Sequence, residues 1–128
     1  MIELRGTPAA AAEAREWAGS LDPPPSPEAE LLLTELVTNA VRHGRAGKDQ
    51  AVGVSVEREG NQLRIAVSDP GPGFEWAPPL GRQPEEGGYG LVLVDRLAER
   101  WGIRRSAGRT IVWLELHFSA SDVPRHRG

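Results

Sequence analysis

One amphipathic segment, from Glu30 to Gly44, constrains the fold of this chain more than any other stretch. At about 100° per residue, its apolar side chains share one broad face of a helix: Leu32, Leu33, Leu36, Val37, Ala40 and Val41. Glu35, Asn39 and His43 are spaced four residues apart and form a single row along one edge of that face. A carboxylate and a carboxamide between core and water predict either a ligand site or the polar margin of an ordinary core helix.

Length and composition predict one soluble globular domain. The chain has 128 residues, of which 39% are hydrophobic and 26% charged, and we expect the domain at 1–118 and a disordered tail at 119–128. A net charge of −3 provides no bulk attraction for nucleic acid, and the absence of cysteine excludes disulfides and thiolate zinc sites. The apolar runs are too short to cross a bilayer and no signal peptide is evident, so a cytoplasmic location is expected.

Periodicity and Pro or Gly punctuation predict the order of the secondary-structure elements. Ser26 is the predicted N-cap of the long helix, with Pro27 at its first position. The stretch 75–86 is rich in Pro and Gly and predicts a mobile loop. The other predicted elements are a strand at 2–5, a helix at 8–19, a β-hairpin with strands around 52–56 and 63–67, a helix after residue 90, and strands around 101–104 and 110–118.

Two glycine-containing motifs flank the predicted loop. Asp69 ends a strand and is followed by Gly71 and Gly73, whose missing side chains let backbone approach a flat ring. A tight turn in which Asp69 bonds its own backbone is the alternative. Gly88, Tyr89 and Gly90 open a helix whose N-terminal N–H groups suit a phosphate, and a flexible hinge is the alternative there.

The last two strands carry tryptophan and arginine residues with structural interpretations. Trp101 and Trp113 are predicted to be core or rim residues of the sheet. Arg104, Arg105 and Arg109 are predicted to form a solvated face, with contact to an acidic partner as the alternative.

The order of these motifs resembles the GHKL ATPase superfamily, whose ATP-binding domain is the Bergerat fold. The segment from Glu35 to Gly44 is similar to the N box of one branch, the anti-sigma-factor serine kinases and short ATP-binding regulators of actinobacteria. The segments 90–95 and 109–113 are also similar to that branch, and the resemblance covers about 26–118. It implies a single histidine kinase-like ATPase domain of the α+β class. We therefore predict a two-layer α/β sandwich with three helices on one face of a mixed, mainly antiparallel sheet.

The resemblance also assigns roles by position. It implies ATP and Mg²⁺ as cofactors, with Asn39 as a Mg²⁺ ligand and Glu35 as the general base. Asp69 would accept a hydrogen bond from the adenine amino group, and Thr110 would support it from the last strand. His43 is a further implied nucleotide contact, and the alternative is a histidine that lies at the helix end without touching the nucleotide. The full set of these contacts is His43, Gly71, Gly73, Gly88, Tyr89, Gly90 and Leu91.

The function implied is that of an anti-sigma-type serine/threonine kinase. Such a kinase transfers the γ-phosphate of ATP to a serine of an anti-anti-sigma (STAS-type) partner and controls a sigma factor. The resemblance further suggests a homodimer, whereas the net charge and the short apolar runs predict no direct nucleic-acid or membrane contact. Because the sequence shows no helical hairpin carrying a phosphoacceptor histidine, a complete sensor histidine kinase is not expected.

The chain departs from the serine kinases in its lid. Glu85 and Glu86 stand where those kinases carry a basic residue before the second glycine motif, the lid is shorter, and the nearest cation is Arg82. Phosphoryl transfer depends on positive charge positioned around the migrating group. A non-catalytic ATP-binding module that switches partners is therefore the alternative function, and hydrolysis alone is a third.

Overall fold

The computed structural model describes residues 1–43, 51–70 and 89–117, and the predicted loop at 75–86 and tail at 119–128 lie outside them. The elements follow the predicted order. They are β1 (Ile2–Arg5), α1 (Ala10–Gly19), α2 (Pro27–His43), β2 (Ala51–Glu59), β3 (Gln62–Asp69), α3 (Tyr89–Leu97), β4 (Arg100–Ser106) and β5 (Arg109–His117).

The strands form one five-stranded sheet in the order β1-β2-β3-β5-β4. Every neighbouring pair of described strands is antiparallel. β4 runs parallel to β3, but β5 lies between them, so the described part of the sheet has no parallel pairing. The α+β prediction, with a mainly antiparallel sheet, is confirmed. We also expected a mixed sheet, but the described strands contain no parallel pair.

The core lies between this sheet and the helices. In β3, Leu63, Ile65 and Val67 are buried, and they alternate with half-buried residues on the opposite face of the sheet, here called the outer face. Helix α2 packs against β2, β3, α1 and α3, and its apolar stripe, including Leu36 and Val37, is buried. In the described ranges, no helix is both long and apolar enough to pass through a membrane.

Local signals explain where several elements begin and turn. The backbone N–H of Ala29 donates to Ser26 Oγ at 3.2 Å, which confirms the predicted N-cap of α2. The β4–β5 hairpin closes through two residues, Ala107 and Gly108, with φ of 52° and 77°. Positive φ at both positions is typical of a tight hairpin turn whose twist matches the strands. This turn sets Arg109 as the first residue of β5.

Candidate functional site

A buried polar pair closes one end of the sheet. Asp69 is the last residue of β3, directly opposite Thr110 of β5, and the two are 3% and 1% exposed. Both continue the inward alternation of their strands, so they face the helix layer. Pro70 follows at once and has no N–H to extend the ladder. Because an ionised carboxylate only accepts hydrogen bonds, this end of the sheet suits a ligand that donates, such as an amino group.

A second buried polar group lies on α2. Asn39 is 7% exposed, and its Nδ2 has no hydrogen-bond partner within residues 1–43, 51–70 and 89–117. A buried donor without a partner costs about 1–3 kcal/mol, so such an atom indicates a position that a ligand completes. Glu35 lies one helical turn earlier on the same edge and is half-buried. Glu35 and Asn39 of the predicted row therefore lie at the margin of the core, with Asn39 more deeply buried than a surface amide.

The remaining predicted contacts lie near the ends of helices or outside the described residues. His43 ends α2, whereas Tyr89 and Gly90 begin α3. Leu91 is 1% exposed and belongs to the hydrophobic core, so a nucleotide contact at this position would use its backbone N–H. Three predicted glycines lie outside the described residues: Gly71, Gly73 and Gly88.

The donor set fits magnesium better than a transition metal. Across the described segments, no group of three or more His, Cys, Asp and Glu side chains could hold a metal ion. Mg²⁺ needs no such group, since it keeps several waters and is commonly held by one or two protein oxygens together with substrate phosphates. The carboxamide of Asn39 would supply one such oxygen, because a half-turn of the group exchanges its oxygen and nitrogen. The residues present therefore fit a Mg²⁺–nucleotide complex.

Arg109 differs from its predicted surroundings. Arg104 and Arg105 are exposed, as a solvated face requires, but Arg109 is half-buried and donates hydrogen bonds to β2 and β3. The sequence predicts a solvated face for these arginines, but strand alternation carries no information about which groups a long side chain reaches. The sequence feature that could have connected Arg109 to the site is its position directly before Thr110.

Comparison with known proteins identifies the class to which this fold and site belong. Residues 3–116 match the histidine kinase-like ATPase domain family, which is nearly the whole chain. The chain therefore belongs to that family, and the predicted GHKL superfamily membership is confirmed.

A curated relative and a solved structure are similar to this chain. An uncharacterized protein of Streptomyces coelicolor is 34% identical over 87 residues, which are 65% of this chain and 79% of the relative. The structure of the RsbU and RsbW domains of Rv1364c from Mycobacterium tuberculosis is similar in fold, with a TM-score of 0.59 and 23% identity over 91% of this chain.

A histidine kinase domain from Erythrobacter litoralis has a TM-score of 0.49 and 28% identity over 70% of this chain. The chain spans 32% of the mycobacterial chain and 43% of the Erythrobacter chain.

Proposed function

We propose that this protein binds ATP with Mg²⁺ and transfers the γ-phosphate to a serine of an anti-anti-sigma-type partner. The observation that carries the nucleotide site is the buried Asn39, whose Nδ2 lacks a partner among the described residues. It lies on the helix that packs against the strand ending at Asp69. Buried polar groups of this kind lower stability unless a ligand completes them. Family membership provides the class of ligand.

Adenine recognition is assigned to the sheet end of the site. The Asp69 carboxylate accepts a hydrogen bond from the exocyclic amine, and the Thr110 hydroxyl beside it supports the same edge of the ring. Both side chains are buried, so water competes weakly for these bonds. Gly71 and Gly73 would leave room for the ring, and His43 would approach the nucleotide from the end of α2.

Phosphate binding and proton transfer are assigned to the two helices. Asn39 would hold Mg²⁺ through its carboxamide oxygen. When bound, the ion supplies positive charge that offsets the phosphate oxygens. The backbone N–H groups of Gly88, Tyr89, Gly90 and Leu91 would bind phosphate at the N-terminus of α3. Glu35 would take the proton from the serine hydroxyl, a task that needs a carboxylate within reach of solvent and partner.

The choice of partner rests on the fold comparison and on the N box. The mycobacterial neighbour is described as containing an RsbW domain, and the fold likeness covers 91% of this chain. We assign this protein the task that its resemblance to the anti-sigma-factor serine kinases implies, phosphorylation of an anti-anti-sigma (STAS-type) protein and control of a sigma factor, as a homodimer.

A second function is favoured by one sequence feature. Glu85 and Glu86 place two negative charges where a kinase of this type needs a cation. Negative charge beside a migrating phosphoryl group opposes transfer. The second candidate is therefore a regulator that binds ATP and exchanges partners without transferring phosphate.

One experiment separates the two functions. The protein is incubated with γ-labelled ATP, Mg²⁺ and anti-anti-sigma proteins encoded nearby, and the Glu35→Gln variant serves as the matched control. Label on a partner serine that disappears in the variant is the expected result. Tight ATP binding without label on any partner supports the regulator. Absence of ATP binding by the folded wild-type protein contradicts both functions.

A further inference from the structure

The side chain of Arg109 joins three strands on the outer face of the sheet. Its Nε donates to Ser68 Oγ at 3.3 Å, and its Nη2 donates to the carbonyl oxygens of Ser68 at 3.1 Å and Ala51 at 2.8 Å. Arg109 belongs to β5, Ser68 to β3 and Ala51 to β2. Arg109, the first residue of β5, is therefore bonded to Ala51, the first residue of β2, and to Ser68 near the end of β3.

These bonds lie where the backbone ladder of the sheet stops. The β3–β5 pairing ends at Asp69 opposite Thr110, and Pro70 has no N–H with which to continue it. The end of a strand without further ladder bonds frays readily. Hydrogen bonds from a charged guanidinium to neutral acceptors are stronger than ordinary ones, so Arg109 compensates for the missing ladder at this position.

Gly53 leaves the space that this arrangement needs. Gly53 and Ser68 are register partners on β2 and β3, and a Cβ on Gly53 would lie 2.7 Å from Ser68 Oγ. The Ser68 hydroxyl, which accepts a hydrogen bond from Arg109, thus occupies the space in which any residue other than glycine at position 53 would place its Cβ. Gly53, Ser68 and Arg109 form one unit, here called the outer clamp.

The outer clamp lies on the opposite side of the backbone from the proposed adenine contacts. Ser68 immediately precedes Asp69, and Arg109 immediately precedes Thr110, so each clamp residue adjoins a residue that faces the helix layer. A displacement of Ser68 by a fraction of an ångström would move Asp69 with it, because the two are consecutive residues of one extended strand.

We propose that Arg109 is a positioning residue that sets the orientation of the Asp69 carboxylate and thereby the preference for ATP over GTP. This inference rests on the proposed function, in which Asp69 accepts a hydrogen bond from adenine. Arg109 itself touches no nucleotide. Its effect arises because discrimination between an amino group and a carbonyl depends on the direction of one hydrogen bond, which weakens steeply when misaligned.

Nucleotide selectivity provides a test that general loss of stability does not reproduce. The affinities for Mg-ATP and Mg-GTP are measured for the wild type, Arg109→Ala, Arg109→Lys and Ser68→Ala. We expect Arg109→Ala to reduce the ATP-to-GTP affinity ratio by about tenfold, since small misplacements of a positioned group cost about that much or more. Lysine, with one donor centre instead of a fork, should restore part of the ratio. Arg104→Ala, at an exposed position on the next strand, is the matched control and should leave it unchanged.

A double mutant tests whether Arg109 acts through Asp69. In an Asp69→Asn background, Arg109→Ala should cause no further loss of selectivity, because the group it positions is already changed. Equal losses in both backgrounds would contradict the proposal, as would an unchanged ratio in a folded Arg109→Ala protein. If Arg109→Ala does not fold, the ATP-to-GTP affinity ratios of Ser68→Ala and Arg109→Lys decide the question. A lower ratio than in the wild type supports the proposal, and an unchanged ratio in both folded variants contradicts it. Failure of the wild type to bind either nucleotide overturns the proposed function and, with it, the role of Arg109.

Discussion

At the scale of single residues, two buried polar side chains carry the proposed nucleotide site. Asp69 and Asn39 are each more than nine-tenths buried among mostly apolar residues. Burial of polar groups lowers stability unless they are hydrogen-bonded. Asn39 Nδ2 lacks such a bond among the described residues, and both side chains belong to the proposed nucleotide site, so each supports a separate prediction.

Replacement of Asp69 by Asn should weaken ATP binding. An asparagine at this position can present an N–H to the amino group of adenine, and the charge-assisted bond is lost. Loss of such a bond costs about 1.5–3 kcal/mol, or about one to two decades of affinity. Titration calorimetry with Mg-ATP and Mg-GTP measures the change. Equal affinity of the wild type for the two nucleotides would remove Asp69 from the site.

Substitutions on α2 should separate metal binding from proton transfer. Asn39→Ala should lower affinity for ATP in Mg²⁺ and reduce the difference between Mg²⁺ and chelator, because the ion loses its protein ligand. Glu35→Ala should leave Mg-ATP affinity nearly intact and abolish phosphate transfer or hydrolysis, because a base acts on the nucleophile. Thermal melts establish that both variants are folded. Wild-type affinity for Mg-ATP in a folded Asn39→Ala protein would exclude α2 from the nucleotide site.

At the scale of elements, the hairpin formed by β4 and β5 carries a conformational cost at its turn. Ala107 has a φ of 52°, a left-handed conformation that residues with a Cβ adopt at a cost of about 1–2 kcal/mol. The two-residue turn requires this conformation, and it fixes the register that places Thr110 opposite Asp69. Asparagine adopts this conformation more readily than alanine.

Ala107→Asn should therefore stabilise the domain. The resulting Asn-Gly sequence is preferred in this type of turn, and we expect an increase of about 0.5–1 kcal/mol in the free energy of unfolding. Urea unfolding measures the gain, with Ala107→Val as the matched control. Valine is β-branched and should be destabilising at this position. A loss of stability in the asparagine variant would show that the turn does not have the positive φ described.

At the scale of the whole molecule, nucleotide binding and folding should be linked. The proposed site lies where α2 meets the sheet, so a bound nucleotide stabilises contacts between the two layers. A ligand at one hundred times its Kd adds about 2.7 kcal/mol of stability when it binds only the folded state. Mg-ATP should therefore raise the Tm by roughly 10 °C. Mg-GTP at the same concentration and the Asp69→Asn variant with Mg-ATP are the controls, and an equal shift in all three would indicate nonspecific binding.

The sequence by itself determined the features that depend on local periodicity. The apolar stripe of α2, the N-cap at Ser26 and the alternation of β3 are each encoded within a few neighbouring residues, because the 3.6 and 2.0 residue periods translate directly into burial. The same patterns predicted that Glu35 and Asn39 share an edge of the helix. The family resemblance then predicted a sheet with helices on one face.

Only the tertiary structure decided which strands lie side by side and which side chains meet. Alternation shows that Asp69 and Thr110 point inward, but their pairing depends on β5 inserting between β3 and β4, a choice made by packing of the complete layer. The burial of Arg109 has the same origin. Its bonds to Ser68 join residues 41 positions apart in the chain, a distance over which no local pattern carries information.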